Sequence, residues 1–492
     1  MKKLKISEIT NDPVINIALD TIALSKQALI FVSAKRSAEA QAEKIAGKIK
    51  NVNLDALSEQ ILNALSKPTK QCVRLSNCVK KGIAFHHAGL PAKQRDLIES
   101  AFKEGTIKII CATPTLAMGI NLPSFRTIVR DLKRYSHAGL VDIPVLEYMQ
   151  YIGRSGRPDF NDTYGEAVTL AQTESERKRI KKHYLEGKPE EIYSKLAVEP
   201  ILRTYVLSLI ATEFCTTKED LLNFFQKTFY GFQYGDIKSL QKIIEKILVL
   251  LEEWEFIRIS NELQATPIGK RVSELYLDPY TAFFMMECLR KISSETDAFA
   301  YLDMLTNCLE MRPLLHMKMS EFETIQEKIN KKTFLHEEPS PYDENYDTFL
   351  NAFKTALFLE EWLNEKDEDY LLEKYNVRPG EIFAKLERAD WLVYSAQELV
   401  RMMKFHQVRT DLAKLRIRLK YGVKEELLVL LRLKNIGRVR ARVLYRNNIT
   451  SLEDIKKADL AVLTRLLGKS IAEDVKKQVG MKEADANLGD YE

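Results

Sequence analysis

At 492 residues the chain is too long for a single hydrophobic core, and 45% hydrophobic with 29% charged residues describes an ordinary globular protein of several domains. No apolar run approaches the roughly 18 residues of a membrane span, and the basic start Met1-Lys2-Lys3-Leu4-Lys5 lacks the apolar stretch of a secretory signal. The net charge of +5 is mild, and the six scattered cysteines form no CxxC, so they read as reduced thiols in a cytosolic protein rather than as a zinc ribbon.

The first ~185 residues alternate short apolar strands with amphipathic helices. Strands are predicted at Ala28–Val32, Ile107–Ala112, Arg126–Arg130 and Ala167–Ala171, with helices at Ser37–Lys50 and around Gln94–Lys103. This pattern implies a parallel α/β lobe of the RecA type over residues 1–190. Ligands gather at the carboxyl ends of such strands, and Ser33-Ala34-Lys35-Arg36 and Thr113–Asn121 follow two of them. From about Glu199 the pattern turns mainly helical. Pro200–Thr212, Lys218–Lys227 and Ser239–Glu253 read as helices, and Phe256–Ile259 with Leu263–Thr266 flank a turn, which together make a winged-helix domain at 195–285. A helical domain follows at 286–405, interrupted by a polar loop at 337–343. A small helical domain at 406–480 precedes an acidic, disordered tail at 481–492.

Gln150-Tyr151-Ile152-Gly153-Arg154-Ser155-Gly156-Arg157-Pro158 sets two arginines three apart, each straight after a glycine. The glycines let backbone approach a ligand, and guanidinium forks match phosphate oxygens in a way Lys cannot. Cys111–Pro123 begins as a strand and continues in small and hydroxyl residues able to lie against a phosphate backbone or a nucleotide. Phe85-His86-His87-Ala88-Gly89-Leu90 reads as another such loop. Its His pair has no carboxylate or third His nearby in sequence, so it is not read as a metal site. Between Arg401 and Arg446 stand 14 Lys/Arg against Asp411, Glu425 and Glu426, the local excess that phosphate neutralisation requires. Within it, Leu433–Leu444 reads as a helix–hairpin–helix. Its turn at Gly437 exposes backbone N–H groups to a DNA phosphate, with Arg438, Arg440 and Arg442 adding charge. Gly468-Lys469-Ser470 ends like a P-loop, but Leu463 stands where the earlier glycine belongs and no strand precedes it.

In their order, Ala28–Ser33, His86–Leu90, Thr113–Pro123 and Gln150–Pro158 resemble motifs IV, IVa, V and VI of a superfamily-2 helicase. The version is that of the archaeal DNA repair helicases numbered 308, related to the helicase part of metazoan DNA polymerase theta. The resemblance covers essentially the whole chain. It implies that Arg154 and Arg157 are catalytic, reaching the γ-phosphate of ATP held by an opposite lobe, and that Gln150, Gly119 and Asn121 bind nucleotide. Thr113 and His86 to Gly89 would touch the tracking strand. Arg130–Tyr135 and Ile143–Tyr148 resemble the two sides of a strand-separating hairpin at about 130–147, whose tip near Tyr135–Leu140 could replace lost base stacking. Thr266–Ser273 resembles the family's winged-helix exit. A long helix opening at Gly380 and running to about Lys404 carries Trp391, which matches the family's base-stacking Trp of a ratchet domain. Ala384 stands where the family has an Arg, with Lys385 or Arg388 as substitutes.

No GxxxxGK[ST] and no Asp-Glu-x-His after an apolar strand occur, so the elements that cradle phosphate and coordinate magnesium are not in this sequence. The chain therefore reads as the C-terminal portion of an ATP-dependent 3′-to-5′ DNA helicase acting at stalled forks: a split product, an alternative start or a truncated form. ATP and Mg²⁺ would be used only with a first lobe, which could be separately encoded. The remaining expectations are single-stranded and forked DNA as partners, no membrane, a monomer, and a cytoplasmic, nucleoid-associated location. Two alternatives stand beside this reading: a non-catalytic DNA-binding protein left by loss of the ATPase lobe, and a fragment of a superkiller-type RNA helicase.

Overall fold

The computed structural model describes residues 6–480 apart from 51, 66, 120, 137–138, 157–161, 197, 236 and 295. It divides into two compact units, Met1–Ile192 with Leu372–Phe383, and Tyr193–Leu371 with Ala384–Glu492. Among the described residues no helix is long and apolar enough to cross a membrane.

The first unit is built on strands β1 (Ala28–Phe31), β2 (Ile83–His86), β3 (Ile109–Ala112), β4 (Arg126–Val129) and β7 (Glu166–Thr169), all parallel, in the order β2-β3-β1-β4-β7. These strands from β1 to β4 are buried throughout, which is why β1 and β3 read as unbroken apolar runs instead of alternating ones. Helices α1 (Pro13–Ala23), α2 (Lys35–Ala46), α3 (Asp55–Leu62), α4 (Lys70–Val79) and α5 (Ala92–Lys103) contribute to the core. Asp12 starts α1 by accepting from the Val14 and Ile15 amides, with Pro13 in the first turn, where its missing N–H costs nothing. The chain leaves β1 for the far edge, returns through β3 and crosses to β4. The sheet therefore reverses direction at β1, the place where parallel sheets open a ligand crevice.

Two expectations for this unit need correction. Phe85 and His86 are not loop but the end of β2, a strand the sequence reading missed. The hairpin is narrower than expected: β5 (Lys133–Ser136) pairs antiparallel with β6 (Gly139–Asp142). Ile143–Tyr148 is not its second side, because α7 (Val145–Ile152) begins there. Val145, Tyr148 and Tyr151 recur at helical spacing and are buried, so that face packs on the core in place of extending the ribbon. Motif V likewise contains a short helix, α6 (Thr115–Gly119), and α8 (Glu174–Ile180) follows β7.

The second unit begins with α9 (Glu199–Ala211), α10 (Lys218–Gln226), α11 (Phe229–Tyr234) and α12 (Ile237–Glu253). Strands β8 (Ile257–Ile259) and β9 (Leu263–Ala265) then form an antiparallel ribbon, followed by α13 (Pro267–Glu274). Thr217 and Asp220 start α10 with a reciprocal capping box, and Thr266 caps α13 through the Gly269 amide. Helices α14 (Pro279–Arg290), α15 (Ala298–Asn307), α16 (Phe322–Ile329), α17 (Tyr346–Leu363), α18 (Glu368–Tyr375), α19 (Pro379–Met403) and α20 (His406–Tyr421) come next, of which α18 from Leu372 and α19 up to Phe383 are counted in the first unit. The last part of the unit, α21 (Arg438–Arg446), α22 (Leu452–Lys457), α23 (Leu460–Leu467) and α24 (Lys469–Gly480), has its own apolar cluster around Leu430, Leu444, Leu463 and Val475.

Candidate functional site

Helix α7 ends at Gly153 and delivers Arg154 beside the segment that follows β3. The backbone of motif VI is stitched to the chain entering β4. The Ser124 amide donates to the Arg154 carbonyl at 2.8 Å, and the Gly156 amide donates to the Ser124 carbonyl at 2.7 Å. The Arg154 guanidinium donates to the Ala117 carbonyl in α6, so motifs V and VI are held together through this side chain. Gly156 takes φ +106°, in the region that favours glycine, and a Cβ on Gly165 would lie 2.3 Å from the Gly156 amide nitrogen. Gly156 is therefore favoured by its backbone conformation and Gly165 by close backbone packing. Gln150 and Asn121 are exposed, Gly119 ends α6, and Arg157 lies outside the described residues.

Behind Arg154, α7 is anchored by a buried polar chain. Tyr151 stacks on Phe31 at 4.4 Å and donates its hydroxyl to Glu147, which pairs with Arg134 of β5 at 2.8 Å. Burial, with the Glu147 carboxylate beside it, pushes the Tyr151 phenol far above its ordinary range. The hairpin thus shares a carboxylate with the helix that presents Arg154. Tyr135 lies opposite Leu140 in the ribbon, Leu140 is 54% exposed, and the tip at 137–138 lies outside the described residues.

Of the five residues expected at the tracking strand, Ala88 is exposed and the other four are buried. His86 is 2% exposed and its Nε2 lies 2.8 Å from Glu99. Thr113 is buried, with its hydroxyl 3.1 Å from that of Thr115. His87 is fully buried, 3.2 Å from Glu39 through Nε2, while its Nδ1 accepts from the Gly89 amide. Gly89 is covered: a Cβ there would meet Arg378 at 2.4 Å, and its carbonyl accepts from the Gly380 amide at 3.0 Å. The premise that no carboxylate lies near the His pair is therefore corrected. Glu39 and Glu99 reach it through space, not along the sequence.

Glu39 gathers three ionisable partners. Its carboxylate accepts from Arg378 Nε at 2.9 Å and Arg74 Nη1 at 2.7 Å, besides facing His87. Burial alone would raise this carboxyl, but the His87 and arginine partners hold it at about 2. Burial lowers the His87 imidazole, which Glu39 only partly offsets. Around this centre Lys35 pairs with Glu381, Lys70 with Glu373, and Arg36 donates to Asn376 at 2.9 Å. Leu372–Phe383 is therefore fastened to the lobe by charge as well as by packing.

In the second unit α19 carries Trp391, half-buried, with its indole N–H donated to the Leu275 carbonyl at 3.0 Å. Lys385 is buried and donates to the Pro313 carbonyl at 2.7 Å, and Arg388 donates to the Arg312 carbonyl at 2.8 Å. Both proposed ratchet cations are thus engaged with backbone. Gly437 caps α21 without a side-chain bond. Arg438 stacks 5.0 Å from the Trp362 ring, and burial lowers its affinity for the proton. Arg442 forks onto Glu365 and also meets Glu426 at 2.8 Å. Arg440 is exposed and donates to the Asn435 carbonyl at 2.9 Å.

Comparison with known proteins places this geometry. The helicase conserved C-terminal domain matches residues 12–159, and the archaeal helicase domain 4 matches residues 299–422. The ATP-dependent DNA helicase Hel308 of Methanococcus vannielii is 35% identical over 540 aligned residues, covering 99% of this chain and 70% of the relative. The chain belongs to the Hel308 helicase family. The Hel308 of Pyrococcus horikoshii is 40% identical, covering 94% of this chain and 65% of the relative, and that of Caldivirga maquilingensis is 34% identical, covering 97% and 66%. The chain thus spans about two thirds of the length of these Hel308 relatives. The archaeal helicase domain 4 match takes in Lys385, Arg388 and Trp391 and stops at Gly422, before the arginines of α21.

Sequence reading missed Glu39, Arg378, Glu147 and Arg134, whose partners are far apart in the chain and leave no local signal. It also missed Arg446, for which a signal was present. Arg438, Arg442 and Arg446 recur every four residues and so share one face of α21.

Proposed function

We propose that this Hel308-family chain is the DNA-handling part, and one half of the ATP site, of a 3′-to-5′ DNA helicase that acts on forked or stalled replication structures. The observation that carries the proposal is the seating of Arg154. One N–H is held by Ala117, which orients the guanidinium, and among the described residues its other four N–H donors meet no acceptor and remain for phosphate. The residues present fit the phosphate-facing side of an ATP site, and no Walker-type loop stands in the sequence to cradle the nucleotide or hold Mg²⁺. ATP with Mg²⁺ supplies the phosphoryl transfer once a first lobe, separately encoded or covalently attached, completes the site. In that assembly Arg154, with Arg157, stabilises charge on the transferring group, an effect worth roughly 10³–10⁵ in rate. Gln150 and Asn121, both exposed, sense nucleotide together with Gly119.

The same reading gives the second unit its parts. Helices α9 to α12 with the β8–β9 ribbon act as a winged helix, α19 as a ratchet with Trp391 stacking on a base, and α21 as part of a helix–hairpin–helix. The β5–β6 ribbon, with Leu140 exposed, parts the strands at the junction. Support comes from the relatives' name and the match to the archaeal domain, while polarity and fork preference rest on the family resemblance. The test is DNA-stimulated phosphate release. The 492-residue chain alone is expected to give none above background, and addition of a first lobe expressed separately from a Hel308 relative is expected to restore it. Sustained turnover by the chain alone would overturn the half-site reading.

A further inference from the structure

Three arginines run along one face of α21, and each meets a different fate. Arg438 stacks on Trp362 of α17. Arg442 is taken by two carboxylates, Glu365 and Glu426, which hold its guanidinium well above its ordinary range. Arg446 is exposed at the end of the row. Beside it the surface opens into a recess of about 290 Å³ lined by Asn364, Glu365, Lys366, Lys424, Arg442 and Arg446.

The charges in this recess do not balance. Glu365 spends both oxygens on Arg442 and also accepts from the Lys424 amide at 3.2 Å. Burial alone would raise its carboxyl, yet Arg442 brings it below the ordinary value, so it stays ionised and engaged. Asp367, next to Lys366, accepts from the Tyr370 amide at the start of α18. Lys366 lies 5.0 Å from the Tyr370 ring centre. Among the described residues, the side chains of Lys366, Lys424 and Arg446 have no carboxylate partner within 4 Å, although they share one concavity. Like charges brought together without an anion repel, and a bound anion reverses the sign of that interaction. Arg442 forms the fixed floor, Arg438 pins α21 to the Trp362 ring, and the three cations without a carboxylate partner form the rim.

We infer that Lys366, Lys424 and Arg446 form a binding site for the backbone phosphates of a single DNA strand, while Arg438 and Arg442 hold the site in shape. The inference rests on the DNA-binding reading above and relocates the phosphate contacts within it. Three separated cations around a concavity suit successive phosphates of a strand better than one free phosphate ion.

The test uses the whole chain, a fluorescein-labelled single-stranded DNA and anisotropy titrations over a range of salt. K366A/K424A/R446A is expected to weaken binding tenfold to a hundredfold at about 0.1 M salt. The log–log salt slope should fall in magnitude by about 2, since each phosphate contact on a single strand contributes about 0.7. K291A/K331A, which removes exposed cations outside the recess, should leave both unchanged, and matching far-ultraviolet circular dichroism secures the fold. Titration with inorganic phosphate alone should show no saturable binding. An unchanged slope in the triple variant, while the parent chain binds DNA, overturns the inference. So does saturable phosphate binding that the triple variant abolishes without effect on DNA. Failure of the parent chain to bind DNA would instead remove the functional reading beneath it.

Discussion

Replacing Glu39 by Gln removes the charge at the centre of the first unit and keeps the shape. Glu39 is 3% exposed, and Arg378, one of its two arginine partners, is 6% exposed. Arg74 retains Glu43 at 2.6 Å, so the cation left stranded is chiefly Arg378. The Glu39 carboxyl sits at about 2 against an ordinary 4.5. At about 1.4 kcal/mol per tenfold change, its ionised form contributes about 3 kcal/mol to the folded state. Stranding one partner of a buried ion pair costs a similar 3–5 kcal/mol. Because this carboxyl is depressed by folding, its contribution is complete above the ordinary value near 4.5 and is lost as the pH falls through about 2. All three Trp residues lie in the second unit, so hydrogen exchange at β1 and β3 amides in urea is the appropriate local readout. E39Q should lower the opening free energy there by about 3 kcal/mol at neutral pH and flatten the acid limb between about pH 5 and 2. A change below about 1 kcal/mol, or an acid limb identical to that of the parent chain, would refute the reasoning.

Other expectations follow from single contacts. G165A puts a Cβ 2.3 Å from the Gly156 amide nitrogen, where only backbone could give way. It should cost at least about 2 kcal/mol and speed exchange at the Gly156 amide, measurable by mass spectrometry. W391A should weaken single-strand binding by about 1–3 kcal/mol, whereas W391F, which keeps a ring but loses the bond to the Leu275 carbonyl, should retain most of the affinity. Equal losses in the two variants would point to a packing role alone. In the second unit, burial lowers the His336 imidazole but Asp303, 2.6 Å away, more than restores it, so its net position is raised. A raised His stabilises fully below its ordinary 6.5 and loses that contribution as the pH rises through the raised value. Burial raises the Asp303 carboxyl, which acts in the same direction. Trp-detected melting temperature should therefore fall from about pH 6 to pH 8.5, and D303N should remove the slope.

How much of this was legible in the sequence depended on the range of the interaction. Strands β1 and β3 announced themselves as apolar runs because both their faces are buried. The four residues Ile83–His86 did not, because so short a run ending in His gives no clear period. The long helix with Trp391 was readable from its pattern and was found at Pro379–Met403. The hairpin was misjudged at Ile143–Tyr148, where the helical spacing of Val145, Tyr148 and Tyr151 should have outweighed the resemblance. The pairing of Glu39 with Arg378 spans 339 residues and was beyond any local reading. The arginine row of α21 was the opposite case. Its four-residue spacing was visible, but whether an arginine faces a carboxylate, a ring or solvent depends on α17 and on residues near Glu365 and Glu426.

The central claim is that the chain handles DNA as a Hel308-family protein does. Its most direct test is an anisotropy titration of the whole chain against a forked DNA with a 3′ single-stranded tail and an RNA of the same sequence and shape, at one stated salt concentration. Tighter binding to the forked DNA, weakening linearly in log–log form as salt rises, is the expected result. Binding to the RNA as tight or tighter, or no binding to the fork, would contradict the account.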